Sequence, residues 1–149
     1  IFLMKRKIAM HAKKISEFWF FWGLGGGLYY GIEMLFRGFS HWSMFCVGGG
    51  VLCFCVFQGT EMKWSEPLWV QVLRGSLFTV SLEFITGIIV NKWWKLEVWN
   101  YSDQPFELWG QICLPFTVLF SGLICIAIWG GGYLAFWLFK EPRPNLFIL

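Results

Sequence analysis

Long apolar blocks alternate with shorter polar segments along this chain. Four blocks are close to the roughly 20 residues that a helix needs to cross the hydrocarbon core of a bilayer, and they cover residues 15–36, 41–58, 68–90 and 112–139. Helices are favoured over a β-barrel because the blocks lack regular alternation of apolar and polar residues and exceed the length of a barrel strand. The pattern predicts an all-α membrane protein with four transmembrane helices.

Polar segments flank and connect these blocks. A basic segment, residues 1–14, precedes the first block, and residues 140–149 form a C-terminal tail. Pro67 is predicted to open the third helix, since the first position of a helix needs no backbone N–H donor. The loop 91–111 is rich in aromatic residues, so we expect it to pack against the helix ends rather than extend into solvent.

Composition places the chain in a membrane. Of its 149 residues, 57% are hydrophobic and only 14% are charged, whereas a soluble domain has about 25% charged residues. Eight Lys and Arg residues lie on the membrane side of the termini, against three on the other side, which predicts that both termini are cytoplasmic. The eight are Lys5, Arg6, Lys7, Lys13, Lys14, Lys63, Lys140 and Arg143. The three are Arg37, Lys92 and Lys95. Basic residues beside a span set orientation more often than they bind nucleic acid, and no nucleic-acid partner is expected.

The N-terminus shows no cleavable signal peptide. Residues 1–4 are too few for the apolar core of such a peptide, and the first long block does not end in a cleavage pattern of small residues. Position 1 is not methionine, and Met4 and Met10 are alternative starts.

Glu83 is the strongest candidate for a functional residue. It lies inside the third apolar block, where an ionisable side chain is costly and is a functional-site hypothesis by default. Thr79, Glu83, Gly87 and Asn91 recur at intervals of four and form one polar stripe, which should face the bundle because lipid offers no hydrogen-bond partner. The stripe predicts a proton, cation or substrate site, although a protonated, hydrogen-bonded structural glutamate would give the same pattern.

A second candidate group follows the first block. Glu33 and Arg37 are four residues apart on a helix and are predicted to form an ion pair. His41 and nearby hydroxyls lie where the second helix begins, and a helix N-terminus flanked by such groups can hold an anion. Helix capping and contacts of Arg37 with lipid headgroups are equally consistent with these residues.

Glycine spacing predicts how the helices pack. Gly23, Gly27 and Gly31 form small-xxx-small steps on one face of the first helix, a pattern that lets helices approach closely. Because four short helices enclose little volume, we expect this face to pair protomers in a homo-oligomer or in a larger membrane complex. The two halves of the chain also resemble each other weakly, either by chance or as two helical hairpins related about an axis along the membrane normal.

Signatures of catalysis and of metal binding are absent. The five cysteines lie in apolar blocks without ligand spacing, and the two histidines fall on opposite sides of the predicted membrane. We predict no metal, no cofactor and no catalytic residues. A membrane hydrolase that uses His41 with Ser43 or Asp103 is the weaker alternative.

Several motifs resemble the ABC-transporter type IV family, whose members are small multi-pass proteins of the bacterial membrane. The similar stretches are Leu82–Asn91, Val98–Ser102, Pro105–Phe106 and Gly110–Cys113, together with Ile32–Glu33, Arg37–Gly38 and Ser40–Met44. The chain differs from the family pattern at Asn100, where the family has aspartate, and at Glu107, where the family has asparagine. It has no nucleotide-binding motif, so the resemblance implies at most a membrane partner of a separate ATPase.

These observations predict a transporter or permease component in the bacterial inner membrane. A polar pocket around Glu83 would pass a small solute or ion, and it would be lined by Glu33, Arg37, His41, Asn91, Tyr101 and Ser102. The alternative is an accessory subunit that packs against a larger membrane complex and moves nothing itself.

Overall fold

Four long α-helices make up most of the computed structural model, which describes all residues from 1 to 149 and contains no β-strand. A short π-helix extends α3. The elements are α1 (Phe2–Arg37), α2 (Trp42–Glu61), α3 (Leu68–Gly87), the π-helix (Ile88–Trp93) and α4 (Leu114–Phe139). The predicted helical architecture is confirmed, and the third span continues as a π-helix past residue 90, where the apolar block ends.

Three helices, not four, are long and apolar enough to cross a membrane. They are Trp42–Glu61, Leu68–Trp93 and Leu114–Phe139, so the protein is a multi-pass membrane protein. The prediction of four transmembrane helices is wrong in its count, because α1 does not qualify. Its apolar half contains Glu17 and Glu33 as well as several glycines and tyrosines, which contribute little hydrophobicity.

Close packing of α1 against α2 depends on a glycine of α1 other than those predicted. A methyl group on Gly25 would lie 2.5 Å from the carbonyl oxygen of Gly48, whereas one on Gly23, Gly27 or Gly31 would meet nothing within 4 Å. The predicted face is therefore not the one that packs inside this chain. Successive helical residues are about 100° apart, so a shift of two residues, from Gly23 to Gly25, points to the opposite side of α1. Pairing of protomers through the open glycine face stays a prediction.

The polar stripe of α3 is buried, as its spacing predicted. The buried residues of this helix are Gln71, Gly75, Thr79, Glu83 and Gly87, which recur at intervals of four and lie on one face. Thr79 donates from its hydroxyl to the carbonyl oxygen of Gly75 at 2.8 Å. This face turns toward α2 and α4, while the leucine and phenylalanine faces of α3 are more exposed.

The two ends of the bundle differ in construction. At the loop end (residues 33–44 and 88–113), the connection between α3 and α4 folds over the helix ends, and Val98 and Trp99 are buried there. The predicted packing of this loop is thereby confirmed. At the tail end (residues 10–17, 58–71 and 140–149), the C-terminal tail runs extended across the helix ends.

The tail end is held by Trp64, which is only 1% exposed. Its indole nitrogen donates to the carbonyl oxygen of Pro142 at 3.0 Å, and its ring fills space beside Gly59 and Gly132. Farther along the tail, the carbonyl oxygen of Phe147 accepts the backbone N–H of Leu68 at 2.7 Å. The tail thus satisfies a donor that the first turn of α3 leaves without a partner inside its own helix.

Candidate functional site

Glu83 lies near the loop end of the bundle and is 4% exposed. Its one hydrogen bond is accepted from the hydroxyl of Tyr29 on α1, at a long 3.4 Å. No lysine, arginine or histidine lies within ion-pair distance of it. The partner of this buried carboxyl group is therefore a tyrosine hydroxyl, whereas a buried carboxylate is ordinarily paired with a cation.

Glu33 and Arg37 form the predicted ion pair on the last turns of α1. Nη1 of Arg37 donates to Glu33 Oε2 at 2.8 Å, and Nη2 donates to the carbonyl oxygen of Val98 in the loop. The guanidinium group also lies over the ring of Phe39, 4.4 Å from its centroid. The charge of Arg37 is thus already used to hold the loop onto α1.

Tyr101 reaches the same region from the loop. Its ring stacks on Phe116 of α4 with centroids 4.7 Å apart, and Phe116 leads through Phe120 to Tyr29. Burial raises the pKa of the Tyr101 hydroxyl well above its ordinary value, and the nearby carboxyl group of Glu83 raises it further. Tyr101 therefore remains a neutral hydrogen-bond donor, which can serve a carboxylate or a polar solute.

Asn91 ties the loop to the end of the π-helix rather than facing Glu83. Its amide nitrogen donates to Gln111 Oε1 at 2.8 Å, and its oxygen accepts the backbone N–H of Val98 at 2.7 Å. The indole nitrogen of Trp99 donates to the carbonyl oxygen of Gln111 at 2.9 Å. The loop is consequently fixed above the Glu83 region by a small polar network.

His41 and Ser102 make local contacts instead. His41 caps α2, since its Nδ1 accepts the backbone N–H of Ser43 at 3.3 Å and lies 2.7 Å from the hydroxyl of Ser43. Ser102 donates to the side chain of Asn100 on the exposed surface of the loop. The structure therefore gathers Glu83, Glu33 and Tyr101 at one end, with Arg37 beside them.

Sequence reasoning missed Tyr29 and Gln111. Tyr29, Glu33 and Arg37 recur at intervals of four on α1, the spacing that places side chains on one helix face. That row could have been read from the sequence in the same way as the stripe on α3. No comparable signal marks Gln111, because its role depends on how the loop folds back.

The cavity that adjoins this cluster is apolar. It has a volume of about 320 Å³, and Tyr29 and Thr79 are among its few polar lining residues. No group of three or more His, Cys, Asp or Glu side chains could hold a metal ion. Chemically, the cluster offers a carboxyl group without a counterion, two tyrosine hydroxyls and an arginine that is already paired.

Comparison with known proteins gives one match. A family model described as "Putative ABC-transporter type IV" matches residues 30–142, which is most of the chain. The match includes Glu33, Arg37, Glu83 and the whole loop, while Tyr29 lies just before it. Neither the search of curated proteins nor the search of solved structures found a match.

Proposed function

Because the chain belongs to the ABC-transporter type IV family, we propose that it is the membrane component of a transport system in the bacterial plasma membrane. We propose further that it passes a small cation, or a solute with a cationic group, at Glu83. The observation that carries this proposal is that Glu83 has no counterion in the chain. It is buried, it accepts one long hydrogen bond from Tyr29, and no cation of the chain lies within reach. A cationic solute would supply the missing counterion.

The surrounding residues support binding rather than catalysis. Tyr29 and Tyr101 would donate to the solute or to Glu83, and Glu33 lies nearby in its ion pair with Arg37. Arg37 is held by Glu33 and by the carbonyl oxygen of Val98, so it would not compete for Glu83. A nucleophile with an adjacent general base, which covalent catalysis requires, has no counterpart in this cluster, and we propose a non-enzymatic role.

The Glu83→Gln variant tests the proposal. Glutamine keeps the shape and the acceptor for Tyr29 but removes the charge, and a hydrogen bond to a charged group contributes about 1.5–3 kcal/mol, equivalent to tenfold or more in binding. We expect proteoliposomes with the wild-type protein to take up radiolabelled methylammonium and those with the variant to lose about tenfold or more of that flux. The unfolding midpoint in mild detergent should stay close to that of the wild type.

Glu97→Gln is the matched control, because Glu97 lies exposed on the loop. It makes the same chemical change without touching the cluster, so its flux should equal that of the wild type. Equal flux in the Glu83 and Glu97 variants would rule out the charge of Glu83 as essential.

The alternative, an accessory subunit, is favoured by one observation. Gly23, Gly27 and Gly31 form an open face on α1 that contacts nothing in the chain, and such faces accept a partner helix closely. Purification in mild detergent separates the two proposals. A stoichiometric complex with a second protein, together with no methylammonium flux above protein-free vesicles, would favour the accessory role.

A further inference from the structure

An apolar groove runs along the bundle between α1 and α4, with α2 as its floor. Its volume of about 320 Å³ falls at the lower end of the range of small-molecule sites, about 300–1,000 Å³. Most of its lining is aliphatic and includes Leu24, Leu28, Val51, Leu123, Ala127 and Leu134. The groove exists because α1 and α4 barely touch: α1 packs mainly on α2, and α4 packs on both α2 and α3.

One end of the groove lies next to Glu83. Tyr29 and Thr79 line it there, and the hydroxyl of Tyr29 donates to Glu83 at 3.4 Å. Thr79 lies one helical turn before Glu83 on the buried face of α3. Two hydroxyl groups therefore mark this end of an otherwise hydrocarbon surface, and the carboxyl group of Glu83 lies directly behind Tyr29.

The long side of the groove faces lipid. α2 and α4 are long and apolar enough to cross a membrane, and groove residues such as Leu28 and Ile126 are more than half exposed, at 56% and 64%. A hydrated solute that entered here would lose its water without finding replacement hydrogen bonds, which costs several kcal/mol for each polar group. An alkyl chain would enter without that cost.

We propose that this groove binds the alkyl chain of a single-chain cationic amphiphile, with its ammonium head group at Glu83. This inference rests on the proposed function and names its substrate class and its route, which is lateral entry from the bilayer. Charge complementarity selects the head group, because Glu83 has no cation within ion-pair distance, whereas the neighbouring Glu33 is already paired with Arg37. An anionic head group would lie beside the carboxyl group of Glu83 without a free cation to bind.

The experiment uses the full-length protein in lipid nanodiscs and a dodecylammonium probe with a diazirine at the end of its chain. We expect photolabelling to saturate and to map to residues 123–134 of α4 and to the facing turns of α1. Dodecylammonium should compete with the probe about tenfold or more better than dodecanol, the advantage expected of a charge-assisted contact. Dodecanoate should not compete.

Two glycines of α4 supply a matched pair of variants. Gly130 lines the groove and Gly122 does not, and a methyl group on either would meet nothing within 4 Å. Gly130→Leu should fill the groove and reduce labelling by about tenfold or more, since an occupied pocket cannot bury the chain. Gly122→Leu makes the same change in helix propensity and should label like the wild type.

Glu83→Gln tests the head group separately. It should remove the preference for dodecylammonium over dodecanol while the dodecanol competition itself stays unchanged. Labelling that does not saturate, or that spreads evenly over all lipid-facing helices, would overturn the inference. The inference would also be overturned if Gly130→Leu left photolabelling intact and instead changed the mass of the protein–nanodisc particle. That result would indicate that a second copy of the chain fills the groove.

The inference and the proposed function fail in different ways. If Glu83→Gln abolishes methylammonium flux but the probe does not map to the groove, transport at Glu83 stands and the amphiphile is ruled out. If the probe maps to the groove but Glu83→Gln leaves methylammonium flux unchanged, the groove stands and passage at Glu83 is ruled out.

Discussion

Two buried carboxyl groups at opposite ends of the bundle have different surroundings. Glu17, at the tail end, is 0% exposed and lies 4.0 Å from the ammonium group of Lys14, close to the ion pair of Lys13 with Glu141. Glu83, near the loop end, is almost as buried, but its polar neighbours are two tyrosines and no cation lies within ion-pair distance of it. A lysine lies within ion-pair distance of Glu17, although neither of its carboxyl oxygens accepts a hydrogen bond, whereas no cation of the chain lies within that distance of Glu83.

If Glu83 binds a solute as we propose, the tail end serves mainly stability and the loop end serves binding. The tail end joins α1, the turn between α2 and α3, and the C-terminal tail through Trp64 and the lysine–glutamate contacts. At the loop end, the ion pair of Arg37 and the amide of Asn91 hold a cover over Glu83. Variants at the two ends should therefore affect different measurements.

Trp64→Ala should have the largest effect on stability. Removing a buried tryptophan leaves a cavity and costs about 3–5 kcal/mol of unfolding free energy, and the indole hydrogen bond to Pro142 is lost as well. Denaturant unfolding in mild detergent measures this change. Trp69→Ala, at the same end but 54% exposed, is the control and should cost less than about 1 kcal/mol.

The comparison also predicts that surviving folded Trp64→Ala protein takes up methylammonium at the wild-type rate per molecule. A variant that stayed fully stable, or that lost flux while folded, would show that the two ends are not divided in this way.

Much of the fold followed from periodicity, because lipid allows few solutions to the hydrogen bonding of the backbone. The stripe at Thr79, Glu83 and Gly87 and the pair of Glu33 with Arg37 depend on local spacing alone, and both were predicted correctly. The packing glycine of α1 was not, since Gly25 and Gly23 are the same residue type and differ only in which side of α1 they occupy. The contacts of Gln111 and Trp64 join residues far apart in sequence, which no local pattern encodes.

Arg37→Met should have a smaller effect, confined to the loop end. A hydrogen bond to a charged group contributes about 1.5–3 kcal/mol, and this variant removes the contacts of Arg37 with Glu33 and Val98. Hydrogen exchange at residues 96–102 should accelerate while exchange around Trp64 stays slow. Lys92→Met, which removes an exposed cation at the same end, should leave hydrogen exchange in both regions unchanged. Faster exchange at both the loop end and the tail end of the Arg37→Met protein would contradict the division between the two ends.

Glu141 at the tail end should give the smallest effect, and one that depends on pH. Burial by itself would raise the pKa of Glu141, but its contact with Lys13 and the charge of Lys14 outweigh burial and lower the pKa below the ordinary value of 4.5. A lowered folded-state pKa adds stability that is present above the unfolded-state value and is lost as pH falls through the folded-state value. Glu141→Gln should therefore cost about 1 kcal/mol at neutral pH, the lower end for a buried group left unpaired, and nothing once the wild-type carboxyl is protonated.

Unfolding free energies of the wild type and of Glu141→Gln, measured from neutral pH to below the folded-state pKa, should converge as the solution becomes acidic. Glu61→Gln is the control, because Glu61 also contacts Lys14 but is 65% exposed, where solvent screens an ion pair to a small contribution. Curves that stay parallel for Glu141→Gln would mean that its contact with Lys13 contributes nothing to stability. The ion pairs of the tail end would then not stabilise it, and the division between the two ends would be contradicted.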